Sequence, residues 1–241
     1  MGIAFDIPEF LTWYIPLIFA MVFHEAAHAF AAYLGGDRTA YEVGQVTINP
    51  IPHMMRAPVG MIVLPILTFA FMGFPLGFAH APYNPYWAIA NPRKSALMAA
   101  AGPVANLLLA LVFFALIKIG LRHSVHWFEI NESIGGGRLS FVDGILTGPG
   151  WAETGFLANL AKISMIMFFL NVLLGLFNLL PFPPLDGSGI VEGLLPPEPR
   201  SMFRELRTSP TAAIIGILIG WMILQHTIEP IWVWLVQLIR A

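Results

Sequence analysis

Long apolar runs at residues 10–34, 58–79, 95–121, 157–180 and 211–225, with a shorter one at 228–239, alternate with brief polar stretches. A helix needs about 20 apolar residues to cross a bilayer. The pattern therefore predicts an all-α polytopic membrane protein with about four to six transmembrane segments. The second run is not uniform: Pro65 interrupts it and Gly73-Phe74-Pro75-Leu76-Gly77 breaks it. Asp6 and Pro8 suit the start of the first helix, and Gly35-Gly36 its end. Between runs, Tyr41 to Ile48 partly alternates and is β-branched, which predicts a small membrane-associated β element before a turn at Asn49-Pro50-Ile51-Pro52-His53. A strand edge there suits an extended peptide. Residues 122–156, rich in glycine at 135–137 and at 148 and 150, read as an irregular extramembrane loop inserted into a single domain spanning 1–241.

Composition sharpens this. Of the 241 residues 57% are hydrophobic and 11% charged, against about a quarter charged in soluble domains. There is no cysteine, so disulfides, iron–sulfur clusters and thiolate metal sites are excluded. Net charge is −2, and no basic run suggests nucleic acid. The first run is too long and has the wrong flanks for a removable signal peptide.

That first run carries the chemistry. Glu25 is its only charged residue between Glu9 and Asp37, flanked by His24 and followed by His28. An ionised side chain at mid-bilayer costs roughly 3 kcal/mol, so such a residue is a functional candidate by default. His24 and His28 lie one turn apart on one helix face, and His-Glu-x-x-His is the zinc metalloprotease signature. Two histidines need at least one more protein ligand. Asp186 is the best candidate: it follows an apolar run, beside Gly187, in a turn stiffened by Pro181, Pro183 and Pro184. A cap on the following helix is the competing reading for Asp186. His123, His126 and His226 read as interfacial or structural.

Three segments together carry a family resemblance. They are His24-Glu25-Ala26-Ala27-His28, Ala101-Gly102-Pro103-Val104-Ala105-Asn106, and Asn178-Leu179-Leu180-Pro181-Phe182-Pro183-Pro184-Leu185-Asp186-Gly187. The chain resembles the site-2 protease family of intramembrane zinc metalloproteases (peptidase family M50), in particular small bacterial members without PDZ or CBS domains. The likeness covers nearly all the chain outside 122–156. It implies that His24, His28 and Asp186 bind one zinc ion, that Glu25 activates a zinc-bound water, and that Asn178 steadies the tetrahedral intermediate. His80 stands where many small relatives carry lysine. His53, His80 and Asn106 are candidates for orienting substrate. The implied substrates are transmembrane proteins or peptides. A membrane metal-binding or transport protein, or a non-catalytic scaffold derived from the protease, are the alternatives.

Metal geometry constrains topology. His24 lies about 15 Å and His28 about 9 Å from the Leu34 end of the first helix, and Asp186 must reach the same depth. A full crossing by the second run would bring Asp186 out on the opposite side unless its turn dips deep. The preferred arrangement therefore has residues 58–71 entering as a helix and 74–86 returning extended, as a re-entrant hairpin beside four full spans. Arg38, Arg56, Arg93, Lys94, Arg200, Arg204 and Arg207 then share the Leu34 side, against Lys118, Arg122, Arg138 and Arg240. The excess places the mouth of the site in the cytoplasm of a bacterial inner membrane.

Overall fold

The computed structural model describes residues 5–122 and 156–240. The expected loop, with His123 and His126, falls outside them apart from its edges. α1 spans Ile7–Gly35. The Asp6 side chain accepts from the Glu9 amide at 3.0 Å, and Pro8 lies in the first turn. Gly36, at φ +101°, closes the helix by donating to the Ala32 and Tyr33 carbonyls. The orphan Gly35 carbonyl is taken up by Trp87 Nε1 and Lys94 Nζ.

The strand expected at 41–48 is not formed, and no described residue is in a strand. Thr39–Glu42 is instead a helical turn, α2. Local hydrogen bonds outweigh the β-branched pattern. Asp37 Oδ1 accepts from the Thr39 amide and hydroxyl, Gly44 takes a positive φ, and the Gln45 amide returns to the Ala40 carbonyl. His53 Nε2 then ties down the Thr47 carbonyl. No laddered edge remains between Tyr41 and Ile48.

The hairpin is present as a reversal of the chain. α3 (Pro50–Arg56) meets a π-turn (Val59–Val63) and α4 (Leu64–Met72) at a bend of 108°. The entering leg runs toward the start of α1: the Met61 carbonyl accepts from Tyr14 Oη, and Phe69 stacks edge-on against Phe10. Gly73, at φ +74°, turns the chain. The returning leg then climbs α1, with Phe74 on Trp13, Gly77 against Met21, and the Asn84 amide on Asp37 Oδ2 at 2.7 Å. The leg thus runs alongside α1 from its first half to its end. It is pinned from behind: Leu76 N donates to Thr68 Oγ1 and Phe78 N to the Gly60 carbonyl.

α5 (Pro85–Ala90) leads into α6 (Pro92–Arg122), which with α1 and α7 (Phe156–Asn178) forms the core. α8 (Asp186–Leu194), α9 (Pro197–Thr208) and α10 (Pro210–Arg240) complete the described chain. The two apolar runs at 211–225 and 228–239 are one helix that continues through Pro230.

Among the described residues, three helices are long and apolar enough to cross a membrane, Ile7–Gly35, Pro92–Ile119 and Pro210–Ile228, with a fourth if the bent pair is counted as one span. Length and composition alone thus do not confirm the expected count of four to six. α7 falls short because its apolar described part, Lys162–Asn178, is brief. Outward faces are apolar, as with Leu108, Leu111, Ile214 and Leu218. The polar residues His24, Glu25, Asn106 and Asn171 are buried. That reversal of the soluble pattern suits lipid surroundings.

Candidate metal centre

His24 and His28 occupy one face of α1 in its second half, their rings nearly perpendicular with centroids 4.6 Å apart. Both are buried, and their Nε2 atoms stand 3.0 Å apart. α8 supplies the third group. Asp186 Oδ2 lies 2.9 Å from His24 Nε2 and 3.2 Å from His28 Nε2. The capping alternative fails, because Asp186 is the first residue of α8 and the cap position, Leu185, has no side-chain cap bond. Gly187 makes this placement sterically allowed: a Cβ there would stand 2.2 Å from the Leu179 carbonyl oxygen. The turn from α7 into α8 thus folds back on itself at a position only glycine tolerates.

α9 braces α8 from outside. Arg204 Nε bonds Glu192 Oε1 at 2.8 Å, and Arg207 bonds both Glu192 and Ser188 Oγ. Ser188, fully buried, follows Asp186 by two residues. Small residues let α8 approach α6, with Gly189 on Ala99 and Gly193 on Ala96.

Two contacts decide what this cluster can hold. His28 Nδ1 donates to the Met98 carbonyl at 2.7 Å, and His24 Nδ1 meets Asn106 Oδ1 at 2.5 Å. Each ring then carries its proton on Nδ1 and turns a lone pair inward at Nε2. With Asp186 Oδ2, three acceptor atoms converge with no hydrogen between them, an arrangement that favours a cation. Ligands about 2.0–2.1 Å from a tetrahedral zinc stand about 3.3 Å apart, close to the spacing seen. Among the described residues, no other trio of His, Asp and Glu brings ligand atoms so near one another. The nitrogen and oxygen donors fit zinc, and His24, His28 and Asp186 can hold it.

Glu25, the residue after His24, is 5% exposed, and its Oε2 has no hydrogen-bond partner. A buried carboxylate oxygen left open beside a metal site is available to a water or substrate proton.

The remaining candidates are spread more widely. Asn178 ends α7, half-buried, and uses one amide hydrogen on the Leu174 carbonyl. His53, on α3, is buried and spends Nε2 on the Thr47 carbonyl. His80 is exposed on the returning leg. Asn106, offered by the sequence as a substrate-orienting residue, is fully buried and bonds His24 instead.

Two residues of the site were not singled out for it. A Cβ at Gly102 would stand 2.3 Å from His28 Nε2 and 2.6 Å from His24 Nε2, so a glycine is required where α6 passes the ligands. Asn171, 0% exposed, donates to the Met167 carbonyl and accepts from Asn106. Its signal was an amide inside an apolar run.

Comparison with known proteins agrees with this centre. The sequence pattern of "Peptidase family M50" matches residues 12–223. A Bacillus subtilis (strain 168) protein named "Putative zinc metalloprotease YwhC" is 35% identical over 189 residues, covering 78% of this chain and 70% of that one. Mycobacterial proteins named "Putative zinc metalloprotease Rip2" are 30% identical over 185 residues in Mycolicibacterium smegmatis and 29% over 200 in Mycobacterium tuberculosis H37Rv. These alignments cover 75% and 83% of this chain, but only 56% and 62% of the relatives, so the chain spans less than two thirds of the mycobacterial proteins. No solved structure matches.

Proposed function

The chain belongs to peptidase family M50, and we propose that it is an intramembrane zinc metalloendopeptidase that hydrolyses peptide bonds in or near the transmembrane segments of other membrane proteins. The observation that carries this reading is Glu25, an acid enclosed in an apolar bundle with one oxygen open beside His24. A site that only stored or passed metal would gain nothing from it. A scaffold derived from the protease has no reason to keep ligands and base together.

Held by His24, His28 and Asp186, zinc supplies a water of lowered pKa and polarises the scissile carbonyl. Glu25 takes the proton of the attacking water and later gives it to the leaving amine. The hydroxide oxygen bonds to the carbonyl carbon, the C–N bond breaks, and the amine departs with that proton. Asn178 spends one amide hydrogen on the Leu174 carbonyl and keeps the other, which in this reading it donates to the developing oxyanion.

A substrate helix must unwind to expose a scissile bond. With no strand at Tyr41–Ile48, the extended leg from Phe74 to Asn84 takes over the role of a template. Leu76 N and Phe78 N bond inward, and successive amides of an extended chain face opposite ways. In this reading the amides of Gly77 and Ala79, which alternate with those two, are the ones offered to a peptide laid alongside.

The test is a panel of single-span membrane proteins incubated with the purified chain in liposomes. Cuts within or beside the spans, blocked by a chelator and restored by zinc, are expected. Cleavage confined to soluble regions, or indifferent to chelation, would overturn the reading.

The excess of Lys and Arg on the Leu34 side supports an orientation with that side in the cytoplasm of a bacterial inner membrane. With no native cysteine, single Asn84→Cys and Asp143→Cys variants are clean probes for an impermeant thiol reagent. Cytoplasmic labelling at 84 and external labelling at 143 are expected. Both on one side would sink the arrangement.

A further inference from the structure

Inside the bundle, away from any substrate, lies a directed chain of amides that ends on a metal ligand. Met167 O and Ala20 O are carbonyl oxygens and can only accept. Asn171 Nδ2 donates to Met167 O at 2.7 Å, and Asn106 Nδ2 donates to Ala20 O at 3.1 Å. Asn171 therefore presents Oδ1 to its neighbour, and Asn106 Nδ2 donates to it at 2.8 Å. Both Asn106 amide hydrogens are now used, and its Oδ1 faces His24 Nδ1 at 2.5 Å. An oxygen there can only accept, so His24 must carry its hydrogen on Nδ1 and offer its lone pair at Nε2. The direction of every bond follows from the two carbonyl ends.

Resting on the metal-site reading above, we propose that Asn106 and Asn171 are positioning residues that fix the tautomer and ring orientation of His24 for metal binding. Both are 0% exposed, and they come from different helices, α6 and α7. His28 needs no such chain, because the Met98 carbonyl fixes it directly. The amide is suited to the place in a way a carboxylate is not: it orients the imidazole without adding a second buried charge to the bundle. Asn106 also bonds Ala20 O, one turn before His24 on α1. The ring is thus fixed relative to its own helix and to both neighbours. Residues that orient a ligating histidine through its far nitrogen are commonly worth tenfold to a hundredfold in metal affinity.

The experiment measures zinc affinity by chelator competition, and Co2+ absorption as a report of ligand geometry, on purified full-length chains in detergent. Asn106→Leu removes the acceptor and is expected to weaken zinc about tenfold to a hundredfold and to change the Co2+ spectrum. Asn106→Asp keeps an acceptor for His24 Nδ1 while losing both donated bonds. It is expected to hold zinc within about threefold of the original, even if its melting temperature falls. Asn171→Leu leaves the Asn106–His24 contact in place but frees the Asn106 amide to rotate, so an intermediate loss is expected. Unchanged affinity in Asn106→Leu overturns the proposal. So does equal loss in the Leu and Asp variants, which would mark Asn106 as packing alone. Zinc affinity is read without any substrate, so a chain that binds zinc through this arrangement and cleaves nothing would refute the protease reading and leave the positioning role standing.

Discussion

Replacing Gly102 with alanine is expected to abolish metal binding while leaving α6 folded. Alanine is the better helix former by about 1 kcal/mol, so the helix itself loses nothing. The added carbon would stand 2.3 Å from His28 Nε2 and 2.6 Å from His24 Nε2, inside the space the ligand atoms share. A flexible side chain could step aside cheaply. These rings cannot, because Asn106 holds one and the Met98 carbonyl the other by Nδ1. The substitution should weaken zinc by about 100-fold or more, beyond what loss of an orienting partner costs. Chelator competition measures it, and thermal unfolding of the metal-free protein should show a loss of only about 1–3 kcal/mol from the added carbon. Retained zinc affinity would mean that His24 and His28 do not hold the metal in this arrangement.

Glu25→Gln is expected to do the reverse, sparing the metal and removing the chemistry. Glutamine has the same shape and hydrogen-bonds as well, but it does not accept a proton near neutral pH. Loss of a positioned acid–base group costs about 10²–10⁴-fold in rate, so cleavage of a transmembrane substrate should fall by at least that lower figure. Zinc affinity should stay within about threefold, because Glu25 contributes no atom to the trio of His24, His28 and Asp186. Cleavage that survives would assign the proton transfer to another group. Together the two variants separate holding the metal from using it.

The metal trio was legible in the sequence because its information is local. Four-residue spacing on a helix decides that His24 and His28 share a face, and three prolines around Asp186 mark a turn able to aim it. The reversal of the chain at 58–84 was expected for a different reason: Asp186 had to reach the depth of His24, and a returning segment keeps the count of crossings consistent with that. The strand at 41–48 misled because its alternation competed with the bonds from Thr39 to the Asp37 side chain and a positive φ at Gly44, neither of which a periodicity expresses. Burial pushes the Asp37 carboxyl up, but hydrogen bonds from Thr39 and Asn84 outweigh this and hold it below the usual value. One acid thus fastens both α2 and the returning leg. The parts of Asn171 and Gly102 were hidden because they depend on which helix faces meet. Asn171 is 65 residues from Asn106 in sequence, and nothing in either neighbourhood says that they touch.

The segment from Phe74 to Asn84 is held at its ends and between them: Phe74 on Trp13, Leu76 N on Thr68 Oγ1, Phe78 N on the Gly60 carbonyl and Asn84 N on Asp37. A loop of that composition ordinarily tolerates added or deleted residues. This one would lose its register, because an inserted or deleted residue shifts every later contact by one position. Three of the four contacts are made by backbone amides, so at Leu76, Phe78 and Asn84 the constraint is on spacing before identity, as it is for the teeth of a zip.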